Sequence, residues 1–187
     1  MVKKINTCVF ISGSGSNLLS IIKSSREYNF PIKVKLVISN NKKANGMKYA
    51  KKYNIPCKYY SSLNKTLFEK KCLTELRKRK IKFLCLAGFM KILSNSFISN
   101  FRHSILNIHP SLLPKYKGLN THKRILKNKD IYAGCTVHYV NRKLDSGKII
   151  SNKKIFIKKK ETEKSLKRKV LLLEHKLYPQ AIRQVFK

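Results

Sequence analysis

The chain has 187 residues, enough for one complete core that buries roughly 70% of the unfolded surface and too few for two ordinary domains. Lys and Arg number 43 against eight Asp and Glu, a formal charge of +35, yet the excess is mostly lysine spread from Lys3 to Lys187 beside abundant Asn and Ile, as AT-rich coding would produce. No dense basic block is interleaved with aromatics, so specific nucleic-acid binding is not expected. Five cysteines form no C-x-x-C pair, which speaks against disulfides and zinc, and Cys8 and Cys85 read as small core residues in a reducing compartment. The N-terminal apolar run is too short for a signal peptide, and no stretch approaches membrane-spanning length. A soluble, cytoplasmic protein is expected.

Ile5 to Ile11 contains the run Cys8-Val9-Phe10-Ile11, too short for a helix and consistent with a buried strand. It leads through Ser12-Gly13-Ser14-Gly15-Ser16-Asn17 into the helix-like Leu18-Leu19-Ser20-Ile21-Ile22. Strand, glycine loop and helix in that order aim free N–H groups and a helix dipole at an anion. Leu18 stands where a dinucleotide fingerprint needs its third glycine, and no Gly-Lys-Ser/Thr follows, so a single phosphate fits better than NAD or ATP. A flexible strand-to-helix turn is the alternative.

A second strand runs from Lys33 to Ile38 and ends at Ser39-Asn40-Asn41; a helix around Gly46 to Tyr53 and a short strand around Pro56 to Tyr60 follow. Lys65 to Arg79 reads as an amphipathic helix with Leu67, Cys72, Leu73 and Leu76 inward. Phe83 to Ala87 is another buried strand, broken by Gly88; the apolar Phe89 to Leu93 after it is a pocket wall or ordinary core.

The stretch Leu106-Asn107-Ile108-His109-Pro110-Ser111-Leu112-Leu113-Pro114 organises the remainder. In an extended segment Asn107 and His109 share a face while Ile108 takes the other. Pro110 cannot donate to a ladder, so the strand ends after His109, at the carboxyl edge where open α/β sheets bind ligands. Locally, His109 reads equally well as a core histidine satisfied by backbone. Next come a loop at Lys115 to Gly118, a helix from Thr121 to Lys127 and a strand from Thr136 to Val140, on which His138 has a supporting role. A turn at Asn141-Arg142-Lys143, the segment Leu144-Asp145-Ser146-Gly147, a strand from Lys148 to Ile157 and a helix from about Thr162 complete the chain. Alternating strands and helices argue for a single-domain, Rossmann-like, doubly wound α/β fold over 1–187, with a mainly parallel sheet and helices on both faces.

Only two aspartates occur, Asp130 and Asp145. Asp145, in a turn beside a strand end, is placed to face a histidine, where it would orient His109 and raise its pKa above about 6.5; alternatively it caps the turn before Gly147. Glu174, among the leucines of the last helix, is either exposed or met by a polar partner.

Four separated motifs, I-S-G-S-G-S-N, L-A-G-F-M-K-I-L, L-N-I-H-P-S-L-L-P-K-Y-K-G, and L-D-S-G with E-H-K-L-Y-P, span Ile11 to Pro179. In these the chain resembles the formyltransferases that use 10-formyltetrahydrofolate, in particular the branch acting in purine synthesis. That resemblance implies transfer of a formyl group to the amine of 5-phosphoribosylglycinamide, small-molecule substrates, no metal and a monomer or homodimer. It implies a phosphate-binding half at about 1–90 and a folate-binding, catalytic half at about 91–187. Gly15, Ser16, Asn17 and Glu174 match residues that hold the phosphoribosylglycinamide. Lys65, Met90, Lys91, Ile92 and Leu93 match folate contacts, as do Asn107 and the loop Asn141, Arg142, Lys143, Leu144 and Asp145. Asn107, His109 and Asp145 match the catalytic set. The same set is similar to that of methionyl-tRNA formyltransferase and of formyltetrahydrofolate deformylase; the Gly-Ser-Asn loop and Pro110 favour the purine branch.

Overall fold

Apolar runs of four to eight residues, separated by glycine, asparagine and proline, become strands because they are too short for helices and too continuous for one-sided burial. A computed structural model describes residues 4–187. Its elements are β1 (Ile5–Ile11), α1 (Ser16–Ser25), β2 (Ile32–Ser39), α2 (Gly46–Lys52), β3 (Cys57–Tyr59), α3 (Lys65–Lys78) and β4 (Phe83–Leu86), then α4 (Asn95–Phe101), β5 (Ile105–His109), α5 (Thr121–Lys127), β6 (Tyr132–Tyr139), β7 (Ile149–Phe156) and α6 (Glu163–Val185). The strands take the order β3-β2-β1-β4-β5-β6-β7 in one sheet. It is the expected Rossmann-like, mainly parallel α/β arrangement, with β7 antiparallel to β6 at the end. Two compact units divide the chain, the first ending at Leu106 and the second running Asn107–Lys187.

In the first unit β1 pairs in parallel with both β2 and β4, and Cys8 to Ile11 are fully buried. The chain steps outward from β1 to β2 and β3, then returns to β4 on the other side of β1. That reversal of direction leaves a switch point between the carboxyl ends of β1 and β4. Phe10, Phe68, Phe89 and Phe97 form an aromatic cluster, with Phe10 contacting the other three rings at centroid distances of 5.3–6.3 Å.

That cluster explains the inward face of α3. Cys72 and Leu76 are buried as expected, but Phe68 and Glu69 take the place given to Leu67, which is exposed, and Leu73 is only half-buried. Phe68 docks on Phe10 and Phe89 and so sets the rotation of the helix. Buried Glu69 accepts from both the N–H and the hydroxyl of Ser94, whose hydroxyl in turn accepts from the Phe97 N–H. Ser94 thereby caps α4, a two-turn helix too short and too rich in Ser and Asn to be read from periodicity.

In the second unit β6 begins at Tyr132, four residues before the expected Thr136, because Tyr132 to Cys135 are paired with Phe156 to Lys153 of β7. Gly134 allows that approach: a Cβ there would meet the Lys153 carbonyl oxygen at 2.1 Å. α6 buries Leu166, Val170, Leu177, Tyr178, Ala181 and Ile182 along one stripe.

Gly46, at the start of α2, lies against Gly15 and Ile11; an added Cβ would come within 2.8 Å of the Gly15 Cα and 2.7 Å of the Ile11 Cδ1. Gly46→Ala should therefore lower the unfolding free energy by about 1–3 kcal/mol, measured by urea titration, because one methyl overpacks a buried backbone crossing.

Candidate functional site

The glycine loop sits at the carboxyl end of β1. Gly15 adopts φ +74°, a conformation open to glycine, and precedes α1 as its N-cap, with no side chain capping the first turn. Ser16, Asn17 and Leu18 form the first turn of α1, whose N–H groups and dipole suit an anion. Ser12 secures the loop: its hydroxyl donates to Asn40 Oδ1 (2.6 Å) and accepts from the Met90 N–H (2.8 Å), while its N–H donates to the Gly88 carbonyl (3.1 Å). This hydroxyl joins the strand ends on both sides of the switch point and starts the 90–93 segment there. Of that segment Met90, Lys91 and Ile92 are exposed and only Leu93 is buried. Met90 and Ile92 are apolar side chains left in solvent beside a ligand edge, unlike ordinary core. Lys65 is exposed, at the first residue of α3.

In the second unit the structure brings together Asn107, His109 and Asp145, and adds His138. β5 ends at His109, as Pro110 dictates, and His109 is buried. β6 is buried from Ala133 through His138; the register shift beside His138, which pairs with Ile149 after Val137 pairs with Ser151, leaves the extra residue, Ile150, on β7. Asp145 takes φ +43° in the turn ahead of Gly147. Gly147 permits that turn because a Cβ would strike the Tyr139 carbonyl oxygen at 1.7 Å.

The Asp145 carboxylate is the hub of this cluster. Oδ2 accepts from the Gly118 N–H (2.9 Å) and lies 3.3 Å from His109 Nδ1; Oδ1 lies 3.5 Å from Asn107 Nδ2 and 3.6 Å from His138 Nε2. Burial works to raise the Asp145 carboxyl, but the His138 imidazole, the Gly118 N–H and His109 outweigh it and hold it below the usual carboxylate range. His138 Nδ1–H donates to the Tyr139 carbonyl (2.8 Å), which turns Nε2 toward the cluster. In the neutral ring Nε2 accepts from Asn107 Nδ2 (3.3 Å); in the protonated ring it donates to Asp145. Neither the His138 contacts nor the Gly118 amide was legible in sequence, since a side-chain contact across the fold and a loop amide leave no residue-type signal.

His109 departs from expectation. Its Nε2 lies 2.8 Å from the Tyr116 carbonyl and Nδ1 faces Asp145, so both ring nitrogens meet acceptors suited to an imidazolium. Burial nevertheless lowers its pKa by more than the Tyr116 carbonyl and Asp145 raise it, with His138 and Arg124 also lowering. The histidine titrates below its ordinary value, the reverse of the sequence-based reading, because loss of hydration follows a depth of burial that spacing does not reveal.

Asn141 to Leu144 are exposed and closed by an Asx turn, with the Lys143 N–H donating to Asn141 Oδ1 (2.9 Å). Glu174 is buried on α6; burial, and then Glu174, push the Cys135 thiol up to about 12. Among the described residues no group of three His, Cys, Asp or Glu is arranged to hold a metal ion, and no helix is long and apolar enough to cross a membrane.

The first unit carries the glycine turn at the end of β1, and the second carries the Asn–His–Asp cluster at the end of β5. The chain belongs to the formyl transferase family, which residues 5–182 match. It is 39% identical over 186 residues to the human trifunctional purine biosynthetic protein adenosine-3; the match covers 98% of this chain but only 18% of that protein. It is 33% identical to the phosphoribosylglycinamide formyltransferase of Bacillus subtilis, with 95% of this chain and 92% of the relative covered. The crystal structure of phosphoribosylglycinamide formyltransferase from Anaplasma phagocytophilum superposes with a TM-score of 0.91 at 39% identity, covering 96% of this chain and 85% of that one.

Stability should fall in acid. The folded His109 titrates below the unfolded value of about 6.5, so below that pH the unfolded chain takes up the proton first and stability drops as pH falls toward the folded pKa, with a slope of at most about 1.4 kcal/mol for each pH step of one. The lowered Asp145 contributes stability above about 3.9 that is lost only as pH falls through its own folded value. Urea midpoints at pH 5.0 and 7.5 should therefore differ, and His109→Gln should narrow that difference; an unchanged difference contradicts the assignment.

Proposed function

We propose that the protein transfers the formyl group of 10-formyltetrahydrofolate to the amine of 5-phosphoribosylglycinamide, giving the N-formylglycinamide ribotide and tetrahydrofolate. The observation that carries this reading is the buried Asp145 carboxylate held among Asn107, His109 and His138 at the end of β5, in a chain of the formyl transferase family. Gly15, Ser16, Asn17 and Glu174 serve the phosphorylated substrate. Met90 to Leu93, Asn141 to Asp145 and Lys65 serve the folate.

The glycinamide nitrogen attacks the formyl carbon, and negative charge grows on the formyl oxygen. The Asn107 amide donates to it, exchanging its long 3.5 Å contact with Asp145 for a stronger acceptor. His109, its two ring nitrogens facing Asp145 and the Tyr116 carbonyl, stabilises that oxygen by its positive charge when protonated. The growing oxyanion, with Asp145 and the Tyr116 carbonyl already in place, offsets the cost of burial and favours the protonated ring during the reaction. A donor such as the Asn107 amide is worth about 3 kcal/mol of barrier. The proton lost by the attacking amine passes, with Asp145 assisting through water, to the departing N10 as its bond to carbon breaks.

The test is tetrahydrofolate release from 10-formyltetrahydrofolate with and without phosphoribosylglycinamide. Release that needs the glycinamide supports the transferase; release without it identifies a hydrolase instead. Asp145→Asn should keep the fold, by circular dichroism, and lower turnover by roughly 100-fold or more; turnover equal to the unsubstituted chain removes Asp145 from the mechanism.

A further inference from the structure

Two backbone groups of one short loop hold the catalytic pair from behind. The Tyr116 carbonyl faces His109 Nε2 at 2.8 Å, and the Gly118 N–H donates to Asp145 Oδ2 at 2.9 Å. Whatever holds this loop therefore sets the geometry of both side chains. Tyr116 sits at φ +57°, a left-handed conformation that bulky side chains avoid and that persists only where the surroundings over-determine it. Here they do. Its hydroxyl donates to Asp130 Oδ2 (3.0 Å) and accepts from Asn128 Nδ2 (3.0 Å). The Arg124 guanidinium lies over its ring, 5.3 Å from the centroid, and donates to the Lys117 carbonyl (2.7 Å). Lys115 Nζ lies 3.6 Å from the same Asp130 oxygen, and the Lys115 carbonyl accepts from the Ser111 hydroxyl (2.6 Å). The two aspartates of the chain thus grip one loop, Asp145 by its backbone and Asp130 by its tyrosine.

We propose that Tyr116, pinned by Asp130, is a positioning residue for the formyl transfer proposed above, holding its own carbonyl on His109 Nε2 and so setting the orientation of that ring. Burial is the strongest influence on His109 and opposes its protonation. The Tyr116 carbonyl is the foremost group favouring the protonated ring, ahead of Asp145; His138 of β6 and Arg124 of α5 oppose it, and His122 of α5 is a further like charge when protonated. Freeing the tyrosine lets the carbonyl drift, and His109 then titrates lower still.

The experiment compares the full chain with Tyr116→Phe, which keeps the ring under Arg124 and removes only the hydroxyl. Histidine ring resonances are followed by NMR across pH, beside steady-state kinetics. His109 should titrate at lower pH in the variant, with kcat down about tenfold or more and KM for both substrates within about twofold. A role confined to stability would leave the His109 midpoint in place, and an unmoved midpoint with unchanged kcat overturns the proposal. The double variant Tyr116→Phe/Asp130→Ala should lose no more than the worse single one, because both changes cut the same contact; additive losses count against it. Should Tyr116→Phe not fold, Asp130→Asn gives the same two readouts. The NMR titration does not depend on turnover. A shifted midpoint in a chain that never uses the folate refutes the proposed function and supports the positioning role; an unshifted one in an active chain refutes the positioning role alone.

Discussion

One buried carboxylate constrains the second unit. Asp145 is held out of solvent, where a bare charge is costly, and its ionised form survives because an amide N–H, two imidazoles and a carboxamide converge on its two oxygens. Each partner arrives by a different device: β5 ends at a proline, the buried strand β6 carries His138, and a left-handed tyrosine turns the 115–118 loop back. Removing one partner leaves the others around an under-compensated charge, so the cluster acts as a unit. The same desolvation that strengthens these contacts also depresses His109, which makes the ring responsive to charge developing on a substrate.

The first unit depends on close approach rather than on charge. Gly15 and Gly46 bring two backbone segments together without intervening side chains, and the Gly46 N–H donates to the Gly13 carbonyl (3.0 Å). Ser12 then joins the end of β1 to Asn40 on one side and to Gly88 and Met90 on the other. A side chain at either glycine would move the loop, and with it the amides suited to a phosphate. The anion-suited turn and the start of the 90–93 segment therefore share one small hydroxyl as their mechanical link.

The lopsided charge has a corresponding logic. With eight acids among 43 bases, several of the acids are committed to structure. Asp145 organises the cluster, Asp130 holds Tyr116, Glu69 secures the Ser94 cap, Glu75 pairs with Arg79, and Glu161 with Lys169. What remains at the surface is overwhelmingly cationic. Such a field raises the local concentration of anionic small molecules, and it weakens as salt rises.

Much was set locally. Apolar runs and alternation determined β1, β2 and β4, the Gly-Ser spacing after β1 marked the strand-to-helix turn at Gly15, and the Asn-x-His alternation before Pro110 placed two polar groups on one face with the strand ending beside them. These are short-range effects of sterics and periodicity, so a linear sequence suffices to show them. The face of α3, the α4 helix and the early start of β6 came instead from docking: Phe68 had to meet Phe10, Ser94 had to meet Glu69, and Tyr132 to Cys135 had to pair with β7. The protonation of His109 belongs to the same class. Charge near a histidine can be inferred from the residues present, but how far water is excluded from the ring follows only from the packed structure, and at this site that exclusion outweighs the neighbouring carboxylate.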